Sequence, residues 1–512
     1  MRENLSLAMS SLVGTRPVVK LNCKNLSLSD STTNRPQLIP HSSTRNTSVS
    51  LMTDALPDDG LATSPAALKL IAAGLSLPDD AVIPKRRIAA WAFWDWGGSA
   101  FNAIMTTFVF SVYLTSTGFG NPDKTTAALG VTGIIGGILV ALVAPVTGQR
   151  SDGTGRRKLL LGVDTAIVVL CIAGTFFVKP DHAFLLLGLV LLAVGTLFFE
   201  LATVNYNAML SQVSSARTVG RVSGFGWSMG YFGGIVLLLI LYFGFIHPDV
   251  GLFGVTDKDG LSVRVSMVLA AVWMLGFSIP IFLAVPEPAI TVARGPRKNI
   301  GQFFTGIVSS YRELFRTIGG LWTVSRATVG FLIASAIFRD GLTGVFTYGG
   351  VLARVSFGFS AGDVIVFAIA ANVVAGVSTV LIGRLDDVIG PKRVMVGSIA
   401  GTIIAGLAVF ILHSGGTTIF WIFGLLMCVF VGPAQSASRS FLARVIPAGH
   451  EGEVFGLYQT TGRAATVLAP LLFTLFVTLF GKSIYGIIGI VIVLAVGLVL
   501  LIPIKENATA LK

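Results

Sequence analysis

Charge is what this sequence has least of: only 12% of its 512 residues are Asp, Glu, Lys or Arg, while 53% are hydrophobic. A soluble domain carries about 25% charged residues. A larger soluble core cannot absorb the difference, because single cores stop growing at roughly 250–300 residues. The surplus apolar surface has to face lipid. Acidic residues are scarcer than basic ones, 25 against 37, for a net charge of +12. That balance could indicate a nucleic-acid partner, but Lys and Arg sit in the tail and in short gaps between apolar runs. With no basic stripe interleaved with stacking aromatics, nucleic acid is excluded as a partner. Cysteine is nearly absent: Cys23 lies in the tail, and Cys171 and Cys428 lie inside apolar runs. No spacing among them suggests zinc or a disulfide framework. The five His residues are scattered, so no metal and no cofactor are expected. No G-x-x-x-x-G-K-S/T loop to hold ATP, no G-x-S-x-G elbow and no H-E-x-x-H pair is read in the sequence. No enzymatic chemistry is expected.

What the chain does have is length of apolar sequence. Residues 1–84, rich in Ser, Thr, Asn and Leu, read as a disordered or weakly structured cytoplasmic tail. Its first fifty residues are basic and acid-poor, loosely like an organellar transit peptide; a translation start at Met52 is the other reading. Beyond it, runs long enough to cross the roughly 30 Å hydrocarbon layer recur. They fall at 88–114, 127–148, 159–179, 183–208, 220–246 and 265–285, then at 327–350, 362–383, 394–413, 417–442, 453–479 and 484–503. The connecting segments alternate between clusters of cations, such as Lys85-Arg86-Arg87 and Arg156-Arg157-Lys158, and isolated ones, such as Lys124 and Lys179. The positive-inside rule then places both termini in the cytoplasm. The expected architecture is all-α and polytopic, with a first half at 85–285, a cytoplasmic loop at 286–326, a second half at 327–504 and a cytoplasmic tail at 505–512. Within the loop, Tyr311–Arg316 could lie as a short helix on the membrane surface. Trp91, Trp94, Trp96 and Trp227, near span ends, read as interfacial belt residues, and Gly136-Gly137 and Gly233-Gly234 as points of close helix approach.

The halves repeat one another. After the second run comes Gly148-Gln-Arg-Ser-Asp152-Gly-Thr-Gly155-Arg156-Arg157-Lys158; after the eighth comes Gly383-Arg-Leu-Asp-Asp387-Val-Ile-Gly390-Pro-Lys392-Arg393. Gly, Asp, Gly and the two closing cations match at a constant offset of 235. Gly220-Arg-Val-Ser-Gly224 answers Gly452-Glu-Val-Phe-Gly456 at 232, and Asp95…Phe101 answers Asp340…Phe346 at 245. Two parallel six-helix repeats are the arrangement of major facilitator transporters, whose substrate site lies near midplane between the halves. The twin motif resembles that superfamily's G-x-L-x-D-x-x-G-x-K/R-K/R signature; Gln149-Arg150 departs from it at the apolar third position, and Leu385 fits it. The resemblance implies a conformational latch made of Gly148, Asp152, Gly155, Arg156, Arg157, Gly383, Asp387, Gly390, Lys392 and Arg393. Physically, the glycines allow close contact and a turn, and the aspartates can meet a helix N-terminus or a cation.

A narrower resemblance rests on Phe93-Trp-Asp-Trp-Gly-Gly-Ser-Ala-Phe101, Tyr206-Asn-Ala-Met-Leu210, Arg221-Val-Ser-Gly-Phe-Gly-Trp-Ser-Met-Gly230, Phe338-Arg-Asp-Gly341, Ser438-Arg-Ser440 and Phe455-Gly-Leu-Tyr458. Over nearly all of residues 85–505 the chain resembles the autophagy-related vacuolar amino-acid effluxers and their bacterial relatives. The resemblance implies export of small solutes, amino acids among them.

An ionisable group inside a span costs roughly 2.5–3.5 kcal/mol on insertion scales and marks function by default. Asp95, Ser99, Asn102 and Thr106 share one helix face of the first run, and Glu200, Thr203 and Asn207 one face of the fourth. The seventh carries Arg339 and Asp340, the tenth Gln435 and Arg439, and the eleventh Arg463. By the superfamily resemblance, helices one, four, seven and ten line the central cavity. Asp95, Ser99, Asn102, Glu200, Asn207, Arg339, Asp340, Gln435, Arg439 and Arg463 are therefore the candidate substrate or ion residues. Arg339 and Asp340 fall nearest midplane; Asp95, Glu200, Asn207 and Arg439 lie toward the cytoplasmic ends, where they could instead pair to hold the halves closed. Asp164 reads as a structural partner, and Tyr458 and Gln459 as either cavity or core. The reading is a monomeric secondary transporter in the lipid bilayer, moving a small polar solute by alternating access. Asp340 or Asp95 would exchange protons if transport is proton-coupled. A receptor or scaffold on the same fold is the rival. A bacterial inner membrane is the first choice of location, with a vacuolar or other organelle membrane as the alternative.

Overall fold

An apolar run buried in lipid can satisfy its backbone only within itself, so it folds as a helix. The computed structural model describes residues 82–154, 156–286, 326–446 and 450–504. Among them twelve helices are long and apolar enough to cross a membrane: Lys85–Leu114, Lys124–Gly148, Arg157–Phe177, His182–Ala208, Val219–Ile246, Lys258–Ala284, Ala327–Val355, Val366–Ile389, Pro391–Ile411, His413–Val445, Glu451–Phe480 and Ser483–Leu501. These are called spans one to twelve below. The only β pairing among the described residues is one isolated bridge between Val250 and Thr256. The tail, the Tyr311–Arg316 segment and the terminal residues 505–512 lie outside the described residues.

Three spans carry π-helical turns and a fourth is broken in two. Span one is α-helical to Ser99, then winds as a π-helix over Ala100–Phe108. Shorter π-turns occupy Tyr242–Ile246 in span five and Phe420–Gly424 in span ten. Span eleven reads as one apolar run but is two helices, Glu451–Ala465 and Leu468–Phe480.

The twin motif does not lie in loops. Helix Pro122–Thr154 runs on through Gly148 and Asp152, and helix Ala361–Ile389 through Gly383 and Asp387. Hydropathy ends with the hydrocarbon, whereas Gln, Arg and Ser can continue a helix beyond it. In the second copy Gly383 continues the helix and Gly390 makes the turn: its φ is +90, where a β carbon would be strained, and Pro391 opens the next helix.

The first six spans meet the last six along four lines: two on eleven, five on eight, five on ten, and four on eleven. Exchanging each span for its repeat counterpart maps these pairs onto one another. The close approaches rest on glycine, in the twin motif and at one of the two pairs expected. A β carbon on Gly148 would collide with the Gly452 carbonyl, and one on Gly224 would stand 2.7 Å from the Thr379 carbonyl oxygen. Gly233 does abut the Trp96 backbone, at 2.6 Å, but Gly137 faces open space.

Trp91 and Trp94 are not belt residues: they are 0% and 1% exposed. Both rings stack on Tyr206 with centroids 4.5 Å apart, which buries more of their surface than an interface would. Trp96 and Trp227 are half-buried, Trp96 stacking on Trp273.

Candidate functional site

The polar residues between the two sets of spans form three tiers, beginning at the end where the basic connections lie. At that end Asp387 accepts hydrogen bonds from the Gly220 amide at 2.8 Å and the Arg221 amide at 3.1 Å. It thus caps span five across the interface, where unpaired N–H groups and the helix dipole favour a carboxylate. Arg444 ties Asp387 (3.2 Å) to Asp386 (2.8 Å), and Asp386 also accepts from Ser440. On the symmetry-related side Arg157 pairs with Glu451 at 2.6 Å, both side chains buried. Lys392 instead donates to the Ile502 carbonyl at 2.7 Å, within the last six spans, while Arg156 and Arg393 are exposed. The side chains of Asp152 and Gly155 lie outside the described residues. Sequence reading missed Asp386, Arg444 and Glu451, because charges at span ends look like topology anchors; the adjacent pair Asp386-Asp387 was the available signal.

One tier deeper, Arg439 of span ten is held almost wholly by the first six spans. It is 1% exposed. Its Nη1 donates to Asn207 Oδ1 at 3.1 Å, its Nε to Ser223 Oγ at 3.0 Å and its Nη2 to the Ser223 carbonyl at 2.7 Å. Asp95 Oδ2 lies 3.5 Å from Nη1 and accepts from the Tyr206 hydroxyl at 2.8 Å. The rings of Trp91, Trp227 and Tyr206 stand 5.0, 5.3 and 5.8 Å from the guanidinium carbon, so aromatic faces replace much of its lost hydration. Ser223 was not singled out from sequence, because serine is common in spans.

The third tier joins spans four, seven and eleven. Glu200 pairs with Arg463 and accepts from Gln459 Nε2 at 2.8 Å. Gln459 Oε1 in turn accepts from Arg339 Nη2 at 3.1 Å. Arg339 also donates to the Tyr458 carbonyl at 3.3 Å, with its guanidinium carbon 3.8 Å from the centre of the Tyr458 ring. Arg339 lies roughly 18 Å along span seven from Ala327, near mid-depth. Beyond this tier a polar stripe is exposed: Thr343 and Thr347 on span seven, and Asn102 and Thr107 on span one. Thr106 and Thr107 both donate to the Asn102 carbonyl, at 2.6 and 2.7 Å, inside the π-helix, a geometry often found at functional sites. Thr460 of span eleven also donates across the two sets of six, to the Ala141 carbonyl of span two at 3.4 Å.

The candidates Asp340 and Ser99 are turned away from this line, as is Asp164, which was read as a structural partner. Asp340 is 6% exposed, and its Oδ2 accepts from the Ala469 amide at 2.6 Å, capping the second helix of span eleven. Ser99 is buried against its own helix, donating to the Trp96 carbonyl at 2.6 Å. Asp164 sits behind span one, accepting from Asn205 at 3.4 Å. Gln435 is half-buried on span ten. The stretch Gly226-Trp227-Ser228-Met229-Gly230 carries the G-x-S-x-G spacing of hydrolase elbows, a match overlooked in the sequence. It lies inside a continuous helix, where Ser228 Oγ donates to its own Phe225 carbonyl at 3.0 Å, so it makes no strand-to-helix elbow.

Comparison with known proteins agrees with this architecture. A family model described as "Vacuole effluxer Atg22 like" matches residues 115–510. An MFS-type transporter of Bacillus subtilis, YxiO, is 27% identical over 440 residues, covering 82% of this chain and 95% of that protein. Autophagy-related protein 22 of Cryptococcus neoformans is 26% identical over 302 residues, 54% of this chain and 51% of its own length. The chain therefore matches about half the length of that fungal relative. Among solved structures, the proton:xylose symporter XylE aligns with a TM-score of 0.63 at 13% identity, covering 82% of this chain and 95% of that one. The transporter FucP in its outward conformation aligns at 0.60 and 14%, covering 83% and 99%. YxiO, XylE and FucP are transporters, not enzymes.

Proposed function

The chain belongs to the vacuole effluxer Atg22-like family, a group of integral-membrane major facilitator transporters, and on that premise we propose that it moves a small polar solute by alternating access. The supporting observation is the convergence of Glu200, Arg339, Gln459 and Arg463 near mid-depth, contributed by both sets of six spans, beneath an exposed polar stripe. Polar groups facing lipid at that depth would be costly, so the stripe is better accounted for as the wall of an aqueous vestibule. In this reading residues 85–285 and 327–504 are the two rocking bodies, and one chain suffices as a monomer. The basic connections lie on the cytoplasmic side by the positive-inside rule. The contacts of Asp387, Arg157 and Arg439 then close the cytoplasmic path while the opposite path is open. Asp95, gripped by Tyr206 and Arg439, is the acid through which a proton would loosen that grip. Amino acids, suggested by the family resemblance, are the first solutes to try.

The test is uptake into proteoliposomes holding the purified full-length protein, paired with a thermal-shift screen of amino acids, carboxylic acids, sugars and peptides. Saturable flux that Glu200→Gln abolishes supports the reading. A folded protein that neither binds nor moves any of these solutes argues for a receptor or scaffold role instead.

A further inference from the structure

Arg339 differs from the other guanidinium groups that surround the central interface. Arg157 has Glu451, Arg439 has Asp95, Arg444 has Asp386 and Asp387, and Arg463 has Glu200. No described carboxylate comes within ion-pair distance of Arg339: its partners are the Tyr458 carbonyl, the Gln459 side-chain carbonyl and the face of the Tyr458 ring. Its sequence neighbour Asp340 is turned onto the Ala469 amide. A cation held near mid-depth by neutral acceptors alone is poorly compensated, and a planar guanidinium is suited to grip a carboxylate with two parallel hydrogen bonds. Space beside it is kept by Gly462, where a β carbon would stand 3.1 Å from Nη1.

We infer that the solute is a small monocarboxylate anion whose carboxylate binds Arg339 in place of the Gln459 side-chain oxygen. This rests on the transporter reading above. A zwitterion fits less well, because the one acid of the group, Glu200, is already committed to Arg463, leaving an ammonium no free partner. The same displacement explains how binding reaches the interface. Gln459 spends its oxygen on Arg339 and its nitrogen on Glu200 of the opposite set of spans. A carboxylate that displaces the oxygen releases the glutamine and weakens its 2.8 Å bridge to Glu200.

The experiment uses full-length protein in proteoliposomes at pH 7.4, with probes matched in skeleton and differing in charge. One set is L-lactate, L-alanine and lactamide; the second is 2-hydroxyisocaproate, L-leucine and the corresponding hydroxyamide. The anion of each set is expected to show saturable uptake. Arg339→Gln should raise its half-saturation roughly 10–100-fold, the worth of a charge-assisted hydrogen bond, with Arg339→Lys in between. Gln459→Ala should lower it, since it removes a competitor for the guanidinium; a merely structural role would not produce that sign. The inference is overturned if the zwitterion or the amide is carried better than the anion, or if Arg339→Gln leaves the anion's half-saturation unchanged; either result keeps the transporter. Absence of saturable uptake for all six probes, with unfolding temperatures intact, overturns this inference, and the transporter reading falls with it only if the broader solute screen is also negative.

Discussion

Asn207 and Arg439 occupy equivalent places in the two repeats, 232 residues apart, and they are hydrogen-bonded to each other at 3.1 Å. The offset is the one that relates Gly220 to Gly452, so the two-fold relation between the repeats passes close to this contact. Equivalent positions on spans four and ten have therefore diverged, one to a neutral acceptor and the other to a cation. A pair of arginines here would repel and a pair of asparagines would carry no charge for Asp95 to balance. Divergence lets the interface close on one complementary bond.

Truncating Arg439 should therefore be costly. Arg439→Ala leaves Asp95 without its cation and strands Asn207 and Ser223, and breaking a buried pair costs about 3–5 kcal/mol. We expect a clear drop in the unfolding temperature in detergent. Asp95→Asn combined with Arg439→Gln should recover part of it, because no uncompensated charge then remains. If the double variant unfolds as early as Arg439→Ala, the ion pair is not what the arginine is for.

Asp387 should bias access rather than global stability. Its carboxylate is held by two backbone amides across the interface and by Arg444. Charge-assisted bonds of this kind contribute about 1.5–3 kcal/mol. Asp387→Asn should therefore shift the population away from the closed end by roughly 10–100-fold. Spin labels at Arg156 and Arg393, both exposed at that end, report it. The distance distribution should gain a longer component; an unchanged distribution would mean that Asp387 only caps.

Close packing at the same end gives a steric version of this test. Gly224→Val places new atoms against the Thr379 carbonyl, 2.7 Å from where a β carbon would sit, and backbone cannot move aside as a side chain can. Overpacking costs about 1–3 kcal/mol and here falls only on the closed arrangement. Uptake should fall and the longer spin-label distance should dominate. Gly137→Ala, which meets nothing within 4 Å, serves as the control and should leave both readings unchanged.

How much of this could be read from sequence follows from which forces act within a few residues. Twelve spans were legible because hydrocarbon thickness fixes run length, and the repeat because matched glycines and aspartates recur at nearly constant offsets. Their edges were less so: the runs were read as ending at Gly148 and Gly383, yet both helices continue, to Thr154 and Ile389. The polar candidates Asp95, Asn207 and Arg439 do meet, as do Glu200, Arg339 and Arg463 through Gln459. Which atoms each would face was not legible. Trp91 looked interfacial because it lies near a span end, and only the approach of Tyr206 and Arg439, more than 100 residues away, makes it core. Asp340 looked like a midplane acid because Pro470, which has no N–H to bond the Thr466 carbonyl and sits in the first turn of the Leu468–Phe480 helix, was not read as the sign that span eleven breaks there.

Asp340 is where the two uses of a buried acid separate most sharply. Its Oδ2 meets the Ala469 amide at 2.6 Å, at the start of the Leu468–Phe480 helix, so its first task is to satisfy a donor that the break in span eleven sets free. Asparagine keeps an acceptor oxygen in nearly the same place, whereas alanine removes it, and losing such a cap costs about 0.5–2 kcal/mol. Asp340→Asn should therefore unfold close to wild type and Asp340→Ala several degrees lower, both with half-saturation for solute unchanged. Arg339→Gln, one residue earlier and about 100° round the helix, should do the reverse, weakening solute binding with little effect on unfolding temperature. Should Asp340→Asn instead abolish flux at normal stability, the carboxylate must do something that its amide cannot. Proton exchange would then move from Asp95 to Asp340, and the break in span eleven would become the element through which protonation is felt.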